Sequence, residues 1–163
     1  MTNKSIDGRK GPRWRMLCCF CLLTAACTAD TGFVDFATLV RSDTSNDALA
    51  CPAGLCQAKA DLITSAVAMP AGDLAAKVIA VLAQEPRTEL VARDPGGLKL
   101  VFVQRSHIFR FPDTVNIDIL PEGEASSALA IYSRSNYGHG DFGVNSARVT
   151  DWLAKFGVPA TGR

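Results

Sequence analysis

From Met69 to Phe156 the apolar positions run first at helical spacing, then at alternating spacing, then at helical spacing again. In MPAGDLAAKVIAVLAQEP, Leu74, Val78, Val81 and Leu82 recur every three to four residues and Pro86 ends the run, which predicts a helix with one face on a sheet. TELVAR and LKLVFVQRS follow, separated by Asp94-Pro95-Gly96-Gly97, the punctuation of a hairpin. In VNIDIL, Val115, Ile117 and Ile119 alternate with Asn116 and Asp118, as a strand with one buried face requires. A turn at Pro121-Glu122-Gly123-Glu124 leads into a fourth strand, SALAIYSR. Val149, Trp152, Leu153 and Phe156 then mark a closing helix from about Asn145, with Asn145 or Ser146 as its cap and Gly157 with Pro159 as its stop. These elements predict an α+β fold, a four-stranded mostly antiparallel sheet with an N-terminal and a C-terminal helix packed on one face.

The front of the chain has a different pattern. Lys4, Arg9, Lys10, Arg13 and Arg15 precede an apolar run, MLCCFCLLTAA, that ends at Cys27. The run is shorter than the roughly 20 residues that span a bilayer and fits a secretory signal over residues 1–26. Leu23-Thr24-Ala25-Ala26-Cys27 resembles the bacterial lipobox, which implies lipidation of Cys27. Thr24 stands where an aliphatic residue is usual, and cleavage after Ala26 or Ala29 to a soluble protein is the alternative. Residues 27–50, with the polar SDTSND, read as a lipidated N-terminus and flexible tether with Phe33, Phe36 and Leu39 as apolar anchors. Residues 51–160 then form the domain.

Beyond the leader only Cys51 and Cys56 remain, in ACPAGLCQ. An oxidising compartment can close a small disulfide loop there, with Pro52 and Gly54 making the turn. His107 and His139 lack the paired spacing of a zinc site, so neither metal nor cofactor is expected. The chain carries a net charge of +1, but from Cys27 onward it has twelve Lys and Arg against fifteen Asp and Glu, a net of −3. Nucleic acid is therefore a poor partner for the domain.

The segment YSRSNYGHGDFGVNSARVTDWLAKF puts a polar, Gly-rich loop directly before the closing helix. Asp141, between Gly140 and Gly143, has the placement of a carboxylate that accepts amide bonds at a helix start. Arg134 and Arg148 flank the loop with guanidinium forks suited to an anion, or to a salt bridge with Asp141. Tyr137 and Phe142 are either a recognition edge, membrane-touching aromatics, or residues folded onto the core. Ser135, His139 and Asp141 are the residue types of a nucleophile, base and orienter, yet they are crowded into seven residues. No G-x-S-x-G, phosphate-cradling or H-E-x-x-H motif accompanies them.

From roughly Cys51 to Phe156 the chain resembles the bacterial and plastid family known as domain of unknown function 1499. RSHIFRFPDTVNIDI and IYSRSNYGHGDFGVNSARVTDWL carry the resemblance, in Ser133, Ser135, Gly138, Asp141, Gly143, Asn145 and Arg148, with the early Cys-Pro and Phe111-Pro112-Asp113. Asn136 and Ser146 replace residues that are basic in many members, which weakens any anion site here. The resemblance implies fold and class but no activity.

The expected function is that of an exported lipoprotein, a non-catalytic binding or scaffold module of the bacterial cell envelope, membrane-anchored and facing the periplasm. Its signature loop of Ser133, Arg134, Ser135, Tyr137, Gly138, His139, Asp141, Gly143, Asn145 and Arg148 would meet a small apolar or lipid ligand or an envelope protein. The alternative is a small envelope hydrolase or transferase using the His139/Asp141 loop.

Overall fold

The structure, a computed structural model, describes Met1 and residues 32–162; the expected signal segment and Cys27 lie outside the described residues. Its frame is one mixed sheet. Strand β1 spans Asp47–Pro52, β2 Leu62–Thr64, β3 Thr88–Arg93, β4 Lys99–Arg105, β5 Pro112–Pro121, β6 Ser127–Ser135 and β7 Ala160–Gly162. They lie in the order β3-β4-β5-β6-β1-β2-β7. Only β1 and β2 pair in parallel; the other neighbours are antiparallel.

Alternation along the strands gives the sheet two different faces. Ala48 and Ala50 of β1, Leu100 and Phe102 of β4, Val115, Ile117 and Ile119 of β5, and Leu129 and Ile131 of β6 point to one side. Helices α1 (Ala71–Leu82) and α2 (Val144–Phe156) cover that side with Leu74, Ala75, Val78 and Leu82 from the first and Val149, Trp152, Leu153 and Phe156 from the second. The opposite side holds Leu49, Cys51, Ala130 and Tyr132, which pack with Phe36 and Ala60. Residues 33–39 cross this face: Val34 N donates to Asn116 Oδ1 at 3.2 Å, and Phe36 is 2% exposed. Arg41 then ties the strap down, donating to both Asp47 oxygens, to Asp61 Oδ1 and to the Lys59 carbonyl.

The expected four-stranded sheet with an N-terminal helix is overturned. Seven strands form the sheet, and α1 follows two of them. The unforeseen β1 is central and fully buried at Leu49 and Ala50, but it reads DALACP, poor in the β-branched and aromatic residues that announce a strand. Strands β2 and β7 are three residues each, too short for alternation to register. Residues 33–50, expected as a tether, contribute Phe36 to a core and begin β1 at Asp47, so the folded part starts well before residue 51. Cys51 and Cys56 are joined by a disulfide with Cα atoms 6.3 Å apart.

Candidate functional site

Three connections leave the same end of the sheet: residues 106–111 between β4 and β5, residues 136–143 between β6 and α2, and residues 42–46 leading into β1. The Gly-rich loop sits between the other two, and Gly140 bridges to Ser45. Its shape comes from Asp141. Oδ1 accepts from Gly143 N at 2.9 Å, while Oδ2 accepts from Asn145 N and Asn145 Nδ2, each at 2.7 Å. Asp141 therefore satisfies the open amides at the start of α2, and neither Asn145 nor Ser146 acts as the cap. Burial acts to raise the Asp141 carboxyl, but the amide bonds from Asn145 and Gly143 outweigh it and hold the pKa below the ordinary carboxylate value. Gly143, at φ 80, takes the left-handed turn into the helix.

Asn145 is the second residue of α2 and points inward, fully buried. Its amide donates to the Asn46 carbonyl at 2.9 Å and to Ser135 Oγ at 3.1 Å, and its oxygen accepts from Ser133 Oγ and from Arg148 Nη1, both at 2.5 Å. One helical turn on, Arg148 spreads its fork under α2: Nε donates to Gln104 Oε1 at 2.6 Å, Nη1 to Ser133 Oγ at 2.8 Å and Nη2 to Asp113 Oδ2 at 2.7 Å. Asn46 Nδ2 closes the circuit on the Gly138 carbonyl at 2.8 Å. The cluster thus links the connection into β1, strands β4, β5 and β6, the loop and α2, and each polar group is matched, which a buried network requires.

The structure brings Ser133, Ser135, Gly138, Asp141, Gly143, Asn145 and Arg148 together. It does not assemble a nucleophile, base and orienter. Asp141 spends both oxygens on amides, Ser135 Oγ takes the Asn145 amide, and exposed His139 bonds to neither among the described residues. Arg134, on the sheet face opposite Arg148, shares its surroundings with Tyr132. Phe142 is fully exposed and Tyr137 is 44% exposed. Gln104, Asn46 and Asp113 are partners that sequence reasoning passed over as site residues. The signal was present for two of them, since alternation puts Gln104 and Asp113 on the face turned to the helices, where polar side chains are out of pattern.

Beside the loop lies a cleft of about 610 Å³ lined by Arg41, Ser42, Ser45, Asp61, Asp141 and Phe142, among others. The Arg41 guanidinium in its lining is engaged by Asp47 and Asp61. Burial alone would lower the Arg41 pKa, and those two carboxylates reverse the effect and raise it. Burial and the bond to Asp47 likewise push the Tyr132 phenol up. No group of three or more His, Cys, Asp or Glu side chains that could hold a metal occurs among the described residues, and no helix among them is long and apolar enough to cross a membrane.

The buried cluster and the loop it holds lie within the region matched by the family model described as "Protein of unknown function (DUF1499)", which spans residues 28–156. The chain belongs to that family. No curated protein matches it. Among solved structures, a START superfamily protein from Mycobacterium smegmatis is similar at 16% identity, over 58% of this chain and 91% of that one, with a TM-score of 0.34.

Proposed function

We propose that the protein is a non-catalytic binding module of the bacterial cell envelope, exported by the segment before Cys27 and held at a membrane, facing the periplasm, by a lipid on that cysteine. The observation that carries the non-catalytic part is the fate of Asp141: both carboxylate oxygens accept amide bonds from Gly143 and Asn145 and neither bonds to His139 among the described residues, which supports a structural role for the carboxylate over that of an orienter. The loop is a built strut, and what it offers to a partner is its rim. The Cys51–Cys56 disulfide supports an oxidising compartment, and the basic, apolar, small-residue order of residues 4–27 supports export.

Intact mass measurement of the chain recovered from a bacterial membrane fraction tests the anchor. The expected result is a polypeptide beginning at Cys27 with added acyl mass, and a Cys27→Ser form released to the soluble fraction. A chain cut elsewhere without lipid would overturn it. The non-catalytic part is tested with His139→Ala: no change is expected on a panel of ester and phosphoester substrates, and turnover lost in the variant would reinstate the hydrolase reading.

A further inference from the structure

We propose that the loop end of the sheet, led by Ile108 and Phe109, is a second membrane contact that docks on an anionic bilayer surface. Ile108 is 77% exposed and Phe109 73% exposed, and both stand at the tip of the β4–β5 loop. The loop holds them out by its own bonds. Ser106 N donates to the Phe111 carbonyl at 2.9 Å, Phe111 N donates to Ser106 Oγ at 3.0 Å, and Arg105 Nη1 reaches the Arg110 carbonyl at 3.3 Å. Phe111 stacks on Phe109 with ring centroids 5.6 Å apart, and Tyr137 of the Gly-rich loop adjoins Phe111 at 6.0 Å. Single exposed apolar residues are ordinary, but a contiguous set with a basic surround marks a contact surface.

Charge selects the occupant. Arg87, Arg105, Arg110 and His107 surround the tip, and Arg87 Nε is fixed on the Arg105 carbonyl at 3.0 Å. Of the acids near them, Asp113 is paired with Arg148 and Asp141 accepts the helix amides, and exposed Glu89 of β3, opposite Val103, stands against the three arginines. Asp43 stands on the connection to β1, two strands away. The net charge of −3 beyond the leader therefore conceals a basic end. Aromatic and aliphatic tips ringed by arginines fit the headgroup region of an anionic leaflet. Arg87, Arg110 and Phe142, the non-glycine residues of positive φ among those described, all lie at this end. Such conformations cost energy and cluster where a surface is shaped for contact.

Chain geometry agrees, and here the argument rests on the lipid-anchor reading. With Val34 bonded to Asn116, only six residue steps separate Cys27 from Phe33, a reach of about 20 Å when extended. From Asn116 back along β5 to Phe111, just before the strand, the distance is about 17 Å. A lipid on Cys27 would thus hold the domain against the bilayer with its apolar tip in range.

The test uses the full-length chain carrying Cys27→Ser, with and without Ile108→Ser and Phe109→Ser, co-sedimented with vesicles of phosphatidylethanolamine and phosphatidylglycerol or of phosphatidylcholine alone. Any leader that remains is common to both proteins. The expected result is preference for the anionic vesicles, weakening as salt rises, and a loss of about tenfold in the double variant with an unchanged melting temperature. Arg110→Asn, a residue that tolerates positive φ, should weaken binding to anionic vesicles only. Equal binding by parent and double variant, indifference to phosphatidylglycerol and salt, or no binding by the parent would each overturn the proposal; the first favours a protein partner at this surface. The intact mass at Cys27 is read separately. An unlipidated chain with tip-dependent vesicle binding removes the anchor and leaves the docking surface standing, and a lipidated chain without tip dependence does the reverse.

Discussion

Arg148 of α2 and Asp113 of β5 form an ion pair at 2.7 Å whose side chains are 6% and 12% exposed. The pair fastens the helix to the middle of the sheet at the end where the loops leave. A buried charge pair is stabilising only when its remaining valences are filled, and here Gln104, Ser133 and Asn145 fill those of the guanidinium.

Arg148→Met therefore leaves Asp113 buried without its partner and is expected to cost about 3–5 kcal/mol in urea unfolding. Arg148→Lys recovers little, because an ammonium lacks the fork that serves four acceptors in different directions. Combining Arg148→Met with Asp113→Asn is expected to cost less than the sum of the single changes. Additive losses would show that the two residues act independently.

Asp141→Ala frees the amides of Gly143 and Asn145 and is expected to cost about 1–3 kcal/mol, as a lost helix cap with an added side-chain bond does. The carboxyl is held below its ordinary value of 3.8, so its contribution is fully present above that value and is lost as pH falls through the folded pKa. Denaturation of wild type and variant across acid pH reads this directly. The gap between them should be constant near neutrality and narrow below about pH 4.

The two glycines around Asp141 should respond differently. Gly143 sits at φ 80 with open space where a Cβ would go, whereas Gly140 has no positive φ and its Cβ would meet Ser45 Oγ at 3.9 Å. Gly143→Ala is expected to cost about 1–2 kcal/mol from backbone strain alone. Gly140→Ala should be near neutral. Melting curves of the two single variants decide it.

Reduction of Cys51–Cys56 opens a loop with a sequence separation of five. Loop entropy puts its contribution at about 2 kcal/mol, which corresponds to a fall in melting temperature on the order of 5–10 °C. Thermal melts with and without a thiol reductant measure it, with Cys56→Ala, on the half-buried side, as the matching variant.

Much of this protein was readable along the chain because local pattern and local burial coincide. The helical stripe of Val149, Trp152, Leu153 and Phe156 is the face α2 buries, and the alternation of Val115, Ile117 and Ile119 is the face β5 turns to the helices. The turn glycines and the amide-accepting role of Asp141 also follow from residues within a few positions of one another. Strand β1 was hidden for the opposite reason. Ala48, Leu49 and Ala50 have little strand preference of their own and are held between β6 and β2, so pairing with distant strands outweighs propensity. The same holds at the loop end. Asn46, Gln104, Asp113, Asn145 and Arg148 are spread over about a hundred residues, and their common purpose exists only where folding places them within hydrogen-bond reach. Local order along the chain determined the helices, the hairpins and the shape of the Gly-rich loop; long-range pairing decided the seven-stranded sheet, the buried network beneath α2 and the basic, aromatic end that its loops present.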